Sequence, residues 1–416
     1  MLRLKLRQFV LFDLERDLST FCILPWIHLS IHPDGKVYTC CFSTGSGAIG
    51  QINRLSELDA IVNSEEQNKL RKRMIAGQAS EKCNYCYTKE SLGATSERQR
   101  YNKLFADKKD NLLAQTNVDG HLSSFAYLYW DIRFSNTCNF RCRTCSPALS
   151  SSWLKDFNKL YPEQKTVSQA GGFIAASAVK DLELHADKVE EIYFAGGEPL
   201  IMKEHYDLLE YLIQKGRTNI RLKYSTNLST LSFSNRSILE LWKHFPKILL
   251  AVSVDEIEAR GEYIRKGFKW DVFLENIRDI KKSLPTVELF LSPTISIFNV
   301  MRLPEIHSYF VENKIVQRDQ FFINILQSPE YYSIQNLSED LKVKVEEKYK
   351  KYIKNNWSDE MPRDSKWRTD LDFLSVLSLM NAKKPNENMR KQFLDTTRAL
   401  DKIRDEDFRK IFPELF

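Results

Sequence analysis

Residues 135–145 read SNTCNFRCRTC and carry Cys138, Cys142 and Cys145 in a C-x3-C-x2-C spacing. The segment follows directly after Tyr127–Phe134, an apolar run typical of a β-strand. Three thiolates on one short loop can bind three irons of an iron–sulfur cubane, which leaves the fourth iron without a protein ligand. From the spacing alone, a zinc knuckle or a set of buried thiols without metal remains an alternative.

A second motif, Gly196-Gly197-Glu198-Pro199, stands at the end of the next apolar run, Glu191–Ala195. Strand-like runs then alternate with amphipathic segments. The further runs are Leu222–Ser225, Ile248–Val254, Val287–Ser292 and Phe321–Ile325, and the helix-like segments are His205–Gln214, Ser237–His244, Val272–Lys282 and Pro304–Asn313. Six strands that alternate with helices predict a parallel sheet, either open or rolled into a partial barrel. In both arrangements an active site lies at the carboxyl ends of the strands.

The two motifs together resemble the radical S-adenosylmethionine (radical SAM) superfamily, which has a C-x3-C-x-Φ-C loop after strand one and GGEP after strand two. The resemblance covers about residues 126–330 and implies a partial (β/α)6 TIM-like barrel. One departure is Thr144, which stands where the family has an aromatic or apolar residue. This departure concerns the packing of the cofactor's adenine and leaves the cysteine ligands in place.

The resemblance implies roles for individual residues. Cys138, Cys142 and Cys145 would bind a [4Fe-4S] cluster whose open iron chelates S-adenosylmethionine, and Glu198 would accept a hydrogen bond from the amino group of the methionine part. The remaining cofactor contacts are expected from Gly196, Gly197, Pro199, Ser225, Asn227, Ser253, Asp255, Arg265 and Asn299. The glycines would allow close approach to the cofactor, Ser225 and Asn227 suit a ribose, and Ser253 and Arg265 suit a carboxylate. Each of the residues after the third, fourth and fifth runs also fits a plain polar cap or turn.

The cysteines near the start of the chain form a second set. Cys22, Gly35 and Cys40 follow a C-x12-G-x4-C spacing, and Cys83 and Cys86 form a C-x2-C pair. This layout is similar to the twitch domain, a shortened SPASM domain, although here it precedes the barrel. The similarity implies an auxiliary iron–sulfur cluster, expected to be [4Fe-4S]. Four-cysteine zinc is the competing interpretation.

Cys41 is left over from both sets. It is a spare thiol, an alternative ligand or a hydrogen-atom donor to a substrate radical, and the last of these roles makes it a weak catalytic candidate.

The composition excludes several other classes of protein. Of the 416 residues, 43% are hydrophobic and 28% charged, which is an ordinary globular mixture. The net charge of +6 divides as +3, +1 and +2 over residues 1–125, 126–330 and 331–416, so no basic patch indicates nucleic acid. No apolar run is long enough to span a membrane, and charges interrupt residues 1–17 where a signal peptide would need an apolar core. We therefore expect a cytoplasmic protein.

The sequence thus predicts three parts: a twitch-like domain of α+β character at 1–125, the barrel at 126–330, and a helical C-terminal extension at 331–416. The expected activity is hydrogen abstraction from a C–H bond after reductive cleavage of S-adenosylmethionine. The expected outcome is net oxidation of a peptide or small carbohydrate-like substrate, with the auxiliary cluster as electron acceptor and flavodoxin or ferredoxin as electron donor. The alternatives are a redox-neutral reaction such as epimerisation, and a non-catalytic iron–sulfur or zinc protein.

Overall fold

The computed structural model describes residues 18–43, 47–54, 57–91, 95–164, 182, 185–357 and 369–415. The segment at 1–17, which bears on the predicted lack of a signal peptide, lies outside the described residues. The chain divides into an N-terminal unit, Met1–Asp131 with Lys180–Glu190, and a C-terminal unit, Ile132–Val179 with Glu191–Phe416. In the described part of the chain, no helix is both long enough and apolar enough to cross a membrane.

The N-terminal unit combines a small antiparallel sheet with short helices. Its elements are α1 (Leu24–Ile27), β1 (His28–Ile31), β2 (Lys36–Tyr38), β3 (Gly50–Gln51), α2 (Leu58–Val62), α3 (Glu65–Ile75), α4 (Asn84–Ser91), α5 (Glu97–Leu104) and α6 (Lys109–Ala114). Strand β2 pairs with β1 and β3, and Gly35 takes a φ of 79° at the turn between β1 and β2. Strands β1 and β2 thus form a β-hairpin with Gly35 at its turn.

The interior of the N-terminal unit is held by a buried arginine. Arg71 on α3 donates to the backbone carbonyls of Pro25, Val62 and Gly120 and to the side chain of Asn63. These contacts join α1, the end of α2 and the chain beyond α6. Burial lowers the pKa of the guanidinium to about 10, so the group still carries its charge at neutral pH.

The C-terminal unit is built on a parallel sheet, as the alternating pattern predicted. The strands are β6 (Glu191–Phe194), β7 (Arg221–Thr226), β10 (Lys247–Val252) and β12 (Glu288–Leu291), and each pairs in parallel with the next in that order. Strand β4 (Tyr129–Ile132) lies at the boundary between the two units. The sixth predicted strand is short: β14 (Asn324–Ile325) pairs in parallel with β13 (Thr294–Ile295).

Helices follow the strands. They are α7 (Leu154–Leu160), α8 (Lys203–Gln214), α9 (Ile238–Trp242), α10 (Glu258–Ile264), α11 (Trp270–Ser283) and α12 (Leu303–Glu312). Of these, α8, α9, α11 and α12 lie at predicted positions. Short strand pairs complete the unit: β5 (Arg141–Cys142) with β11 (Arg265–Lys266), and β8 (Ser232–Phe233) with β9 (Arg236–Ser237). On β7 the buried Tyr224 packs against Trp242 of α9, while Ser225 points to the opposite, half-buried face.

The last part of the chain is helical, as predicted. It contains α13 (Glu339–Asn356), α14 (Thr369–Asn381), α15 (Glu387–Arg404) and α16 (Phe408–Ile411). These helices belong to the same compact unit as the parallel strands. The domain boundaries predicted near residues 125 and 330 stay predictions.

Candidate active site

Residues 135–145, called the cysteine loop from here on, are held in shape mainly by the segment that follows them. The side chains of Ser150, Ser152 and Trp153 donate to the backbone carbonyls of Phe140, Cys138 and Cys142 at 2.6, 2.5 and 2.7 Å. The backbone of Cys142 also pairs with Arg265 across β5 and β11. These contacts fix the loop before any ligand binds. The run of three serines before Trp153 was the sequence signal for them.

The three thiols of the loop differ in their electrostatics. A hydrogen bond from Cys145 lowers the pKa of Cys142, and the same bond raises the pKa of Cys145. Burial raises the pKa of Cys138 to about 11. The positive charge of Arg265 acts to lower the pKa of all three. Arg265 thus favours the thiolate forms that cluster binding requires, and the charge of Arg404 acts in the same direction on Cys142.

The donor set fits an iron–sulfur cubane. All eight cysteines are free thiols, and the loop supplies three of them in one short stretch. In the described part of the chain, no group of three or more His, Cys, Asp or Glu side chains is placed to hold a single metal ion. A cubane is bound differently, because each cysteine ligates a different iron.

The Gly196-Gly197 pair after β6 lies directly against the cysteine loop. Gly197 donates its N–H to the Ser135 carbonyl at 3.1 Å, and a Cβ at Gly197 would lie 2.0 Å from the Thr137 carbonyl oxygen. Gly196 takes a φ of +116°, a region that side-chain-bearing residues rarely adopt. The close approach that requires glycine is therefore to the loop backbone. The predicted approach to the cofactor stays a prediction.

Glu198 is fully buried and binds two strand ends together. Its carboxylate accepts from the Leu200 N–H at 3.0 Å, the Thr226 hydroxyl at 2.7 Å and the Asn227 N–H at 2.6 Å. Burial raises its pKa, and these three donors oppose that rise. A carboxylate has about four lone-pair positions, so one remains for a further donor such as an amino group. Pro199 follows as the first residue of a 3-10 turn that Glu198 caps.

Arg265 has a buried donor that no group in the described part of the chain satisfies. Its Nη1 donates to Asp255 at 3.1 Å, but its Nε is buried and has no hydrogen-bond partner there. Burial would lower the pKa of the guanidinium, and the charges of Cys142 and Asp255 outweigh burial and raise it. An orphaned N–H of this kind is costly unless a ligand acceptor completes it. The carboxylate of a bound amino acid matches the guanidinium fork.

The structure uses the other predicted cofactor residues in different ways. Ser225 and Ser253 are half-buried at neighbouring strand ends, and the Ser225 hydroxyl lies 2.8 Å from the Tyr193 hydroxyl. Asn227 donates from its side chain to Asn139 of the cysteine loop at 2.9 Å. Asn299 is fully buried and donates to the carbonyls of Asp255 and Thr294, so its amide holds the loop that carries Asp255. A direct cofactor contact of Asn299 has no support in these bonds.

The four-cysteine site, Cys22, Cys40, Cys83 and Cys86, lies within the N-terminal unit. Burial raises the pKa of all four thiols, to about 12 for Cys40 and about 11 for Cys83. The charges of Cys40, Cys83 and Cys86 raise the pKa of Cys22 further. The positive charge of Arg98 acts to lower the pKa of Cys83 and so opposes the effect of burial. Cys41 is half-buried beside Cys40.

Comparison with known proteins agrees with this division into two sites. Residues 132–300 match the family described as the Radical SAM superfamily, and residues 22–87 match the SPASM family, described as an iron-sulfur cluster-binding domain. The second match favours iron–sulfur over zinc at the four-cysteine site and confirms that this domain precedes the barrel. No curated protein matches the chain.

Likeness to solved structures is weak. The chain is similar to native anSMEcpe with bound AdoMet and Cp18Cys peptide, with 15% identity and a TM-score of 0.34 over 55% of this chain and 60% of that one. For hexahistidine-tagged anSMEcpe with bound AdoMet the values are 18% and 0.37, over 55% and 59%. For TYW1 with a lysine-pyruvate adduct bound they are 14% and 0.29, over 55% and 71%. The chain thus spans about three fifths of the length of the anSMEcpe structures.

The two family matches together span more than half of the chain, and each contains one of the two cysteine sets. The chain therefore carries a radical SAM domain, of the kind that uses S-adenosylmethionine and a [4Fe-4S] cluster, and an N-terminal domain for auxiliary iron–sulfur.

Proposed function

We propose that the chain is an enzyme that cleaves S-adenosylmethionine reductively and abstracts hydrogen from an unreactive C–H bond. When bound, the cluster and the cofactor supply the 5′-deoxyadenosyl radical for this step, and the protein supplies position and charge. The single observation that carries the proposal is the buried Nε of Arg265, which has no partner among the described residues and stands beside a loop of three free thiols. A donor at this place suits a ligand that carries a carboxylate, which an electron carrier would not need to bind.

In this proposal different residues around the loop bind different parts of the cluster and of S-adenosylmethionine. The three cysteines ligate three irons, Arg265 binds the methionine carboxylate through its free Nε, and Ser253 assists it from the next strand end. Glu198 uses its remaining lone-pair position for the amino group. Ser225 and Asn227 contact the ribose, and the hydrogen bond from Asn227 to Asn139 supports that placement because it orients the amide at the rim of the loop.

For the outcome of the reaction, we propose net two-electron oxidation of a C–H centre, such as dehydrogenation or cross-link formation. The four thiols of the N-terminal unit fill every ligand position of a cubane, so no iron is left open to bind a substrate. A cluster with four protein ligands is suited to accept an electron from the substrate radical. Epimerisation is the rival, with Cys41 as the hydrogen donor. A product lighter by two hydrogens supports oxidation, and unchanged mass with solvent deuterium on carbon supports the rival.

The substrate is proposed to be a peptide or a small carbohydrate-like molecule, and the electron donor a flavodoxin or ferredoxin. The eight free thiols suit the reducing cytoplasm, where cluster ligands are not lost to disulfides. Nucleic acid is not among the proposed partners.

The proposed activity is tested on anaerobically reconstituted protein with S-adenosylmethionine and dithionite. We expect 5′-deoxyadenosine and methionine in equal amounts from the wild type and none from Cys142→Ala. The Cys41→Ala variant is the matched control, because it removes a thiol outside both predicted ligand sets, and it should cleave the cofactor at the wild-type rate. A fully loaded wild type that forms no 5′-deoxyadenosine would contradict the proposal.

A further inference from the structure

The cysteine loop contains an arginine that the sequence motif does not explain. Arg143 lies between Cys142 and Cys145, and its side chain is fully buried. Its guanidinium lies 3.8 Å from the centroid of the Tyr263 ring, and its Nη2 contacts Asp401 at 2.5 Å and Glu406 at 2.6 Å. Both carboxylates come from the C-terminal end of α15 and the turn after it. A buried arginine with two carboxylates is tightly placed, because any movement would leave a buried charge unpaired.

The residue on the other side of Cys142 is held by the same segment. Arg404, also fully buried, donates to the backbone carbonyl of Arg141 at 2.7 Å and pairs with Asp156 at 2.9 Å. The Arg141 side chain reaches the same Asp156 at 2.6 Å. Residues 401–406 therefore contact the loop on both sides of Cys142, 258 residues or more away along the chain.

The segment also reaches the strand that pairs with the loop. Glu406 contacts Lys266 at 2.9 Å, and Lys266 is the neighbour of Arg265 on β11. Tyr263 donates its hydroxyl to Asp401 at 2.7 Å. The network thus joins the cysteine ligand, the strand of the unsatisfied arginine and the end of α15.

We propose that Asp401 and Glu406 are positioning residues for the iron ligands, which they hold in place through Arg143. This goes beyond the proposed function, because it gives the C-terminal helices a role at the cysteine loop whatever the substrate is. It depends only on the contacts of the loop and can be tested without a cluster.

The first test measures the loop in metal-free protein. The variant carries Asp401→Asn and Glu406→Gln, which keep the side-chain shapes and remove both charges. The rate of alkylation of each thiol is read by mass spectrometry. We expect the buried Cys142 to react about tenfold faster than in the wild type, because local opening of the loop exposes it. Cys86, also buried but in the N-terminal unit, should keep its rate within about twofold.

The matched control is Glu414→Gln. It breaks the ion pair between Glu414 and Arg260. Glu414 lies close in sequence to Asp401 and Glu406, but its ion pair is with α10 and not with the cysteine loop. Its Cys142 rate should equal that of the wild type. If the double variant fails to fold, the single variant Glu406→Gln, which keeps Asp401, replaces it and should show a smaller increase in the same direction.

The second test uses reconstituted protein and a chelator. Iron of the loop cluster should be lost about fivefold faster in the double variant than in the wild type, while iron of the four-cysteine site is retained equally. Unchanged Cys142 alkylation and unchanged iron loss in a folded variant would overturn the proposal. Equal acceleration at Cys142 and Cys86 would also overturn it, since that result means global destabilisation.

Discussion

The cysteine loop takes three thiols from residues 138–145, whereas the four-cysteine site collects four from segments spread over residues 22–86. Each site has a nearby arginine, Arg98 buried and Arg265 half-buried, and the two arginines are used differently. Arg98 in the N-terminal unit donates to Glu90 through Nε and Nη2 and to the Phe21 carbonyl through Nη1, so each of its three nitrogens has a protein partner. Arg265 reaches Asp255 and keeps its Nε without a partner in the described part of the chain.

This difference separates a site that is complete in itself from one that lacks a ligand. A set of four thiols and a fully paired arginine has no place for a further anion. A set of three thiols with an unsatisfied guanidinium has room both at an iron and at the donor beside it. The comparison supports the proposal that the loop binds the cofactor and that the four-cysteine site stores electrons.

The largest expected effect comes from removing one ligand at each site. Reconstituted wild type should bind about eight irons, as two cubanes require. Cys142→Ala should bind about four and lose all cleavage of S-adenosylmethionine. Cys86→Ala should lose the other cluster and still cleave the cofactor. Iron analysis and 5′-deoxyadenosine assays measure these effects. Loss of all iron in either variant would contradict the division into two independent sites.

A smaller effect is expected at Glu198. Glu198→Gln keeps the shape but turns one acceptor oxygen into an NH₂ group that faces the Leu200 and Thr226 donors or the Asn227 N–H. We expect a loss of about 1–3 kcal/mol in the free energy of unfolding and about tenfold weaker binding of S-adenosylmethionine. Chemical denaturation and equilibrium binding measure these two effects. Wild-type values for both would mean that the carboxylate is not needed at this strand end.

The smallest effect is expected from Arg265→Lys, which keeps the positive charge and removes the Nε donor. Affinity for S-adenosylmethionine should fall several-fold, by about 1 kcal/mol, while the iron content stays at the wild-type level. Arg98→Lys is the matched control, because it makes the same change at the four-cysteine site and should leave this affinity unchanged. Equal losses in both variants would remove the distinction between the two arginines.

The sequence predicted the parts of this picture that depend on local order. The cysteine spacings, the glycine pair and the alternation of strands and helices are short-range patterns, and the structure places the strands and helices predicted between residues 191 and 313 where they were expected. The ion pairs of Arg143 with Asp401 and of Arg404 with Asp156 could not be predicted. Their residues are about 250 positions apart, and no sequence pattern indicates which charged residues pair over such a separation. The same limit applied to Asn299, whose amide the fold uses to hold Asp255.

Two helix boundaries were missed although the sequence contained a signal for them. The spacing of apolar residues in the sequence predicts one helix over 55–77, and the polar stretch after Cys86 predicts another over about 88–114. The structure divides each of them into shorter helices. New helices begin after Ser64 and Ser96, and each serine caps its helix by accepting from the backbone of the glutamine three residues later. A Ser-x-x-Gln pattern is typical of a helix start, and at Ser96 the glutamine completes a capping box.

The most direct test of the two-site account uses the single-site variants and electron paramagnetic resonance of their reduced clusters. The Cys86→Ala variant keeps the loop cluster, and the Cys142→Ala variant keeps the cluster of the four-cysteine site. We expect S-adenosylmethionine to shift the spectrum of the first variant and to leave that of the second unchanged, because the proposed open iron is at the loop, beside the Nε of Arg265, which has no partner among the described residues. A shift in the Cys142→Ala variant, or no shift in a fully loaded Cys86→Ala variant, would contradict the account.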